Sequence, residues 1–353
     1  MNLEQRIEAF AKLGEFFRQF SNSKMEKNEN IDFNPILFDA FKMQINRASE
    51  FNGWFTKENV LKAFKSWSEA LTLENLEKWT SNYEIDENQA PKSIAIVMAG
   101  NIPLVGFHDF LSVLITGNNP IVKQSSNDKY FLPLIAKFLE YEHPYFKNKI
   151  TFTEEKLTGF YAVIATGSNN TTRYFDYYFE KYPSIIRSSR NSVAIITGKE
   201  TKLELEALGD DIFQYFGLGC RSVSKIFVPK NYNFDLLFNA LFKFNDIINI
   251  KKYENNYDYN KAIYLMSLFK IQDNGFVMLK EDSSYASPIA TLFYEFYDSF
   301  DHLLIKLEAE KEAIQCIVCN ENDLNFVKFG QTQQPKLWDY ADGIDTLQFL
   351  LNI

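Results

Sequence analysis

The stretch QYFGLGCRSVSKIFVP places one cysteine, Cys220, after two glycines and before an apolar run of strand character. A thiol attacks only as thiolate, and a cationic neighbour or a helix N-terminus lowers its pKa from about 8.5. Gly217 and Gly219 carry no Cβ, so substrate and backbone can approach closely, and Arg221 adds positive charge nearby. Cys220 is thus eligible to act as a nucleophile. It is equally eligible to be a packing residue, because free cysteine is among the most buried residue types.

The other two cysteines, Cys316 and Cys319, form a CxxC in QCIVCN, an apolar run in which residues three apart face opposite sides of a strand. With only His108, His143 and His302 to add, and no second cysteine pair, no metal site is expected. Asn101, in VMAGNIPLVGF, stands between an apolar run and a helical one, the carboxyl end of a strand where α/β sheets meet their ligands. Its amide could stabilise a developing oxyanion, an interaction worth about 10²- to 10³-fold in rate, or it could cap a helix or an Asx-turn. Lys123 and Ser125, in PIVKQSS, suit a ribose or a phosphate, or simple solvation. Gly167 and Ser168, in ATGSNNTTRYF, sit before a helix whose N–H groups would attract an anion. The glycine fingerprint GxGxxG is absent.

Positioning these residues requires strands and helices in alternation. SIAIVMAGN, NPIVKQSS, YAVIATGSNN and SVAIITGKE read as buried parallel strands, and VGFHDFLSVLIT, DKYFLPLIAKFLEYE and TRYFDYYFEKY as the helices between them. Right-handed crossovers of this kind build a doubly wound α/β sheet. A helix, TKLELEALGDDIFQYF, then leads to the Cys220 turn and a second α/β lobe. The expected division is a helical N-terminal segment over 1–88, a dinucleotide-binding domain over 89–204, a thiol domain over 205–330 and a C-terminal segment over 331–353. Leu3, Ile7, Phe10, Leu13, Phe17 and Phe20 recur at helical spacing and predict an amphipathic helix packed on the body.

Composition bounds the partners. The 353 residues are 46% hydrophobic and 24% charged with net charge −9, a folded chain without the basic surface that nucleic acid requires. No apolar run approaches the length of a membrane span and no export signal opens the chain, so an integral membrane role is not expected and a reducing cytoplasm is. The 34 phenylalanines suit a packed core or an apolar tunnel alike.

The order Asn-Ile-Pro-Leu, Val-Lys, Thr-Gly-Ser and Gly-x-Gly-Cys resembles the aldehyde dehydrogenase superfamily. GNIPLVGFHDFLSVLITGN, GLGCRSVSKIFVP and the terminal FGQTQQPKLWDYADGIDTLQFL more closely resemble the LuxC-type acyl-CoA reductases, over about residues 90 to 353. The resemblance implies an aldehyde-dehydrogenase-like fold, with a Rossmann-type cofactor lobe and a catalytic lobe. It implies Cys220 as acyl-accepting nucleophile, Asn101 as oxyanion donor, Lys123 at the adenosine ribose, and Gly167 and Ser168 at the pyrophosphate. Phe329 and Gly330 resemble the Phe-Gly of the segment returning from the catalytic lobe.

Two departures refine it. Hydrolytic aldehyde dehydrogenases carry a water-activating Glu where this chain has RSSRNS, with Arg187 near that place. The superfamily's ribose-binding Glu after the lysine is replaced by Gln124, Ser125 and Ser126, which permits a 2′-phosphate and hence NADPH, with NADH the other choice. Thr172 stands where the superfamily has a smaller residue at the pyrophosphate. The implied reaction is NADPH-dependent reduction of an acyl-CoA or acyl-carrier thioester to a fatty aldehyde, with a homo-oligomer or an acyl-transferring partner compatible with it. The alternatives are an NAD(P)-dependent aldehyde dehydrogenase forming free acid, and a non-catalytic acyl-binding subunit.

Overall fold

The computed structural model of the chain describes residues 1–31, 34–321 and 326–353. It divides into two units, one made of Met1–Ser188 with Lys336–Ile353, the other of Ser189–Pro335.

The first unit opens with helices α1 (Leu3–Arg18), α2 (Asn34–Phe51), α3 (Lys57–Ala70) and α4 (Leu73–Thr80). Asn2 starts α1 with a reciprocal capping box to Gln5, which satisfies backbone donors that the first turn leaves unpaired. The apolar stripe expected of α1 is buried, and Phe10, Phe16 and Phe17 are fully enclosed. Their rings pack on other phenylalanines: Phe16 lies 5.0 Å from Phe41 and 4.9 Å from Phe138, and Phe17 lies 4.9 Å from Phe64. Edge-to-face and tilted pairs at this separation are favourable beyond their buried area. Much of the phenylalanine content is therefore core.

Against these helices lies a parallel sheet of β1 (Ser93–Val97), β2 (Asn119–Lys123), β3 (Thr151–Phe152), β4 (Ala162–Thr166) and β5 (Ser184–Arg187), connected through α5 (Phe107–Ile115), α6 (Phe131–Glu142) and α7 (Asn169–Phe179). The strand order is β3-β2-β1-β4-β5. The chain winds outward from β1 to β3, then crosses back to β4 on the other side of β1. That reversal is a topological switch point: β1 and β4 stay paired to their carboxyl ends, and the connections that follow them run to opposite sides of the sheet, the place where α/β folds bind ligands.

The second unit contains β6 (Asn191–Ile195), α8 (Lys202–Phe213), β7 (Val223–Pro229), α9 (Phe234–Leu241), α10 (Lys251–Met266), β8 (Ile271–Asp273), β9 (Met278–Glu281), β10 (Thr291–Tyr297), α11 (Phe300–Ala309) and β11 (Ile314–Val318). Its sheet has the order β11-β6-β7-β10-β9-β8 and is parallel except for β8 against β9. SVAIITGKE, grouped by its pattern with the first lobe, forms β6 and pairs with β7 and β11 of this second sheet. The first sheet is instead completed by β5, whose short SIIR run carries little signal of its own.

The chain returns to the first unit at Lys336 and ends in α12 (Thr346–Asn352). The returning segment is held by specific polar contacts. Tyr340 Oη accepts from Trp79 Nε1 at 2.7 Å and lies 2.7 Å from Tyr83 Oη, which donates to Asp345 at 2.7 Å. His108 Nε2 lies 2.8 Å from the Leu337 carbonyl oxygen. Arg187, at the end of β5, gives both Asp109 carboxylate oxygens a hydrogen bond at 2.8 and 2.7 Å and reaches Thr346 Oγ1 at 2.8 Å. No helix among the described residues is long and apolar enough to cross a membrane.

Candidate active site

In the second unit, α8 ends at Phe213 and the chain passes through Tyr215, Phe216 and Gly217 at φ of 54°, 59° and 73°. Left-handed backbone costs a residue with a Cβ roughly 1–2 kcal/mol, so two aromatic residues in that conformation persist only because their side chains are buried, at 6% and 7% exposure. The arc delivers the chain into a tight turn, closed by the Ser222 N–H donating to the Gly219 carbonyl at 3.0 Å. Cys220 occupies the corner of that turn and is exposed, immediately before the central strand β7.

The turn is anchored from β6. Ser192 Oγ donates to the Cys220 carbonyl oxygen at 3.0 Å and lies 3.0 Å from Cys316 Sγ. With the serine proton committed to the carbonyl, the Cys316 thiol is the donor of the second bond. Burial pushes that thiol up to about 11, which keeps it protonated. Cys319 is buried within a different apolar cluster from the one Cys316 packs against, so this CxxC does not converge. The Phe-Gly pair is also fixed within this unit. Asp211 of α8 accepts from the Gly330 N–H at 2.6 Å, the Thr332 N–H at 3.0 Å and the Thr332 hydroxyl at 2.8 Å, while Phe329 is buried in the core. Desolvation outweighs those donors and pushes Asp211 up to about 6.

In the first unit, Asn101, Lys123, Ser125, Gly167 and Ser168 all lie just beyond or at the carboxyl ends of the three adjacent strands β1, β2 and β4. Asn101 is exposed and does not cap α5, whose N-cap is Gly106. The loop bearing it packs on the loop bearing Ser125 so tightly that a Cβ at Gly100 would fall 2.5 Å from Ser125 Oγ. Lys123 Nζ donates to the Glu155 carbonyl at 3.1 Å, at the edge of the same surface. Ser168 is the N-cap of α7, accepting from the Thr171 N–H, and the first turn of that helix contains no carboxylate.

These residues fit a dinucleotide. A Cβ at Gly167 would stand 2.9 Å from a Phe175 ring carbon, so glycine is what lets α7 close on β4 and bring its N-terminal dipole to the strand end. Thr172 is buried, with its hydroxyl turned back to the Asn169 carbonyl at 3.0 Å, and so does not crowd that helix end. Asp128 has no counterpart in the sequence reading. Its Oδ2 accepts from the Leu104 N–H at 2.8 Å, and burial pushes its carboxyl up to about 7. Only the fold brings Asp128 to Leu104, as it brings Ser192 to Cys220.

The arrangement supplies an exposed thiol on a well-anchored turn, and a separate switch-point surface with a lysine, hydroxyls and a helix N-terminus. A model of the family described as acyl-CoA reductase (LuxC) matches residues 6–237. The match takes in the N-terminal helices, which the sequence reading left largely outside the resemblance, and stops before the terminal WDYADGID. Long-chain acyl-protein thioester reductase 2 of Photobacterium leiognathi is 24% identical over 209 residues, 54% of this chain and 43% of that protein. The long-chain acyl-protein thioester reductase of Aliivibrio fischeri is 25% identical over 185 residues, 48% of this chain and 38% of that one. The chain thus matches less than half the length of either relative. Among solved structures, aldehyde dehydrogenase 21 from Physcomitrella patens superposes with a TM-score of 0.69 at 11% identity, covering 100% of this chain and 84% of that one. An NAD-dependent benzaldehyde dehydrogenase from Corynebacterium glutamicum gives 0.62 at 10% identity, covering 92% and 78%. The chain has the aldehyde dehydrogenase fold.

Proposed function

Because the chain belongs to the LuxC family of acyl-CoA reductases, we propose that it reduces an acyl thioester to the aldehyde through an acyl-Cys220 intermediate. The observation that carries this reading is Cys220 itself, exposed at the corner of a turn that the buried Tyr215 and Phe216 side chains and the Ser192 hydrogen bond hold in place.

The Cys220 thiolate attacks the thioester carbonyl, forming a C–S bond and an oxyanion. The Asn101 amide and the Cys220 backbone N–H are assigned to that oxyanion. Its collapse breaks the donor's C–S bond, and the donor leaves as a thiolate that takes a proton from water. Lys123 and Ser125 are assigned to the adenosine ribose of a reduced nicotinamide nucleotide, and Gly167, Ser168 and the α7 N-terminus to its pyrophosphate. Bound there, such a nucleotide would supply the hydride that takes the acyl-Cys220 carbonyl to the aldehyde oxidation level. Cys220 then departs as thiolate and the aldehyde is free.

Gln124, Ser125 and Ser126 carry no charge to repel a 2′-phosphate, which permits NADPH beside NADH. Arg187 is locked to Asp109 and cannot activate water, which supports aldehyde over free acid as product. The family description names acyl-CoA and the relatives' names an acyl-protein thioester, so both donors belong in the test.

The experiment mixes the protein with a long-chain acyl-CoA, or with the same acyl group on a carrier protein, without nucleotide, and measures intact mass. An acyl adduct on the wild type and none on Cys220→Ala is expected. An adduct on Cys220→Ala would remove the thiol from the mechanism. NADPH and NADH oxidation with each donor then settles cofactor and donor.

A further inference from the structure

The two loops given separate duties above are built as one piece. Residues 98–106 carry Asn101, and residues 124–128 follow Lys123 and carry Ser125. The Met98 N–H donates to the Lys123 carbonyl at 3.0 Å, and Gly100 leaves no room for a side chain against Ser125. The third join is the most demanding. Leu104 sits at φ 59°, an uncommon conformation for a residue with a branched side chain, and it is 4% exposed. Its N–H needs an acceptor, and Asp128 Oδ2 supplies one at 2.8 Å.

A carboxyl group is a costly acceptor here. It borders a small cavity with Met98, Gln124 and Leu132, and among the described ion pairs no cation answers it. The neighbouring Lys129 pairs with Glu154 instead. Although the residue as a whole is only partly enclosed, the acid group is buried enough to titrate near neutrality. A group of this cost at the junction of two loops has a role in what the loops do together.

We propose that Asp128 is a positioning residue: by holding the Leu104 N–H it sets the 98–106 loop, and with it Asn101, against the loop that contacts the nucleotide. This rests on the function proposed above. Its consequence is that acyl transfer to Cys220, which itself consumes no nucleotide, depends on a side chain of the nucleotide loop.

The test compares Asp128→Ala, Asp128→Asn, Asn101→Ala and the Asn101→Ala/Asp128→Ala double variant of the full chain. The readouts are the rate of acyl-Cys220 formation by quench and intact mass, the dissociation constant for NADP⁺, and circular dichroism. Loss of an oxyanion donor typically slows acyl transfer by 10²–10³-fold, so a misplaced one should cost about 10- to 100-fold in Asp128→Ala. Asp128→Asn keeps an oxygen acceptor and should stay within about threefold of wild type. Adding Asp128→Ala to Asn101→Ala should slow the reaction little further, because both act through one group. Additive slowing, a wild-type rate in Asp128→Ala, or an Asn variant that folds but is as slow as Ala would each overturn the proposal. If the wild type itself gains no acyl mass, the function falls, and that failure is visible in the wild-type arm alone.

Discussion

Ser192 and Cys220 are joined across the β6–β7 pair by a 3.0 Å hydrogen bond from the serine hydroxyl to the cysteine carbonyl, so the exposed thiol stands on a backbone held from beneath. The same hydroxyl accepts from Cys316. Ser192→Ala removes both bonds and leaves a buried thiol without its acceptor. Unfolding in denaturant should show a loss of about 1–3 kcal/mol, and Ser192→Thr, which keeps the hydroxyl on a strand that favours β-branching, should recover most of it.

The three thiols should be distinguishable by rate. Cys316 is held near 11 by burial, and burial also raises Cys319, so in both the protonated, unreactive thiol is favoured. Limiting iodoacetamide followed by peptide mass mapping should place the first label on Cys220 in the folded protein, and all three should label together only in denaturant. First labelling of Cys316 would contradict the geometry of the turn.

Asp211 makes stability depend on pH with a definite sign. Its folded pKa, about 6, lies above the roughly 3.9 of an unfolded aspartate. The unfolded chain therefore releases the proton first as pH rises. This contribution to stability is fully present below about pH 4, is lost as pH climbs through 6, and amounts to about 3 kcal/mol. Asp128, at about 7, acts in the same direction. Asp211→Asn should flatten the slope of denaturation midpoint between about pH 4 and 6 relative to wild type.

Placing a glutamate at Arg187 should not yield a hydrolase. Arg187 is 4% exposed and bound to Asp109, which is 6% exposed. Arg187→Glu would bury two carboxylates together, and breaking such a pair costs about 3–5 kcal/mol before their repulsion is counted. Thermal unfolding should report a protein that is unfolded or strongly destabilised, without gain of free-acid product. Arg187→Met with Asp109→Leu, which removes both charges, should be far better tolerated.

What could be read from the sequence follows the range of the forces involved. The runs at 93–97, 119–123 and 162–166 are long, apolar and punctuated, so their strands were legible from local pattern, as was the stripe that became α1. The glycines and strand around Cys220 marked its turn. Three things were hidden for physical reasons. The β6 run looks like any buried strand, and only its hydrogen-bonding partners assign it to the second sheet. Nothing in Tyr215 or Phe216 favours a left-handed backbone, since burial imposes it. Asp128 and Ser192 act on Leu104 and Cys220, groups remote in sequence, and no spacing rule connects them. Arg187 was seen as the absence of a base, but its partner Asp109 gives it a positive reason to be there.

The crossing of residues 336–353 back into the first unit fixes an order of events on the ribosome. Residues 189–335 can emerge and close their own sheet as a continuous piece, whereas the first unit, begun earlier, waits for the last of these residues to be made. Until then Trp79 and Tyr83 lack Tyr340, His108 lacks the Leu337 carbonyl, and the Arg187–Asp109 pair lacks Thr346. Of the two units, the one begun first is thus completed second, and a nascent chain stalled before Lys336 would present the first unit with these polar groups still unclasped.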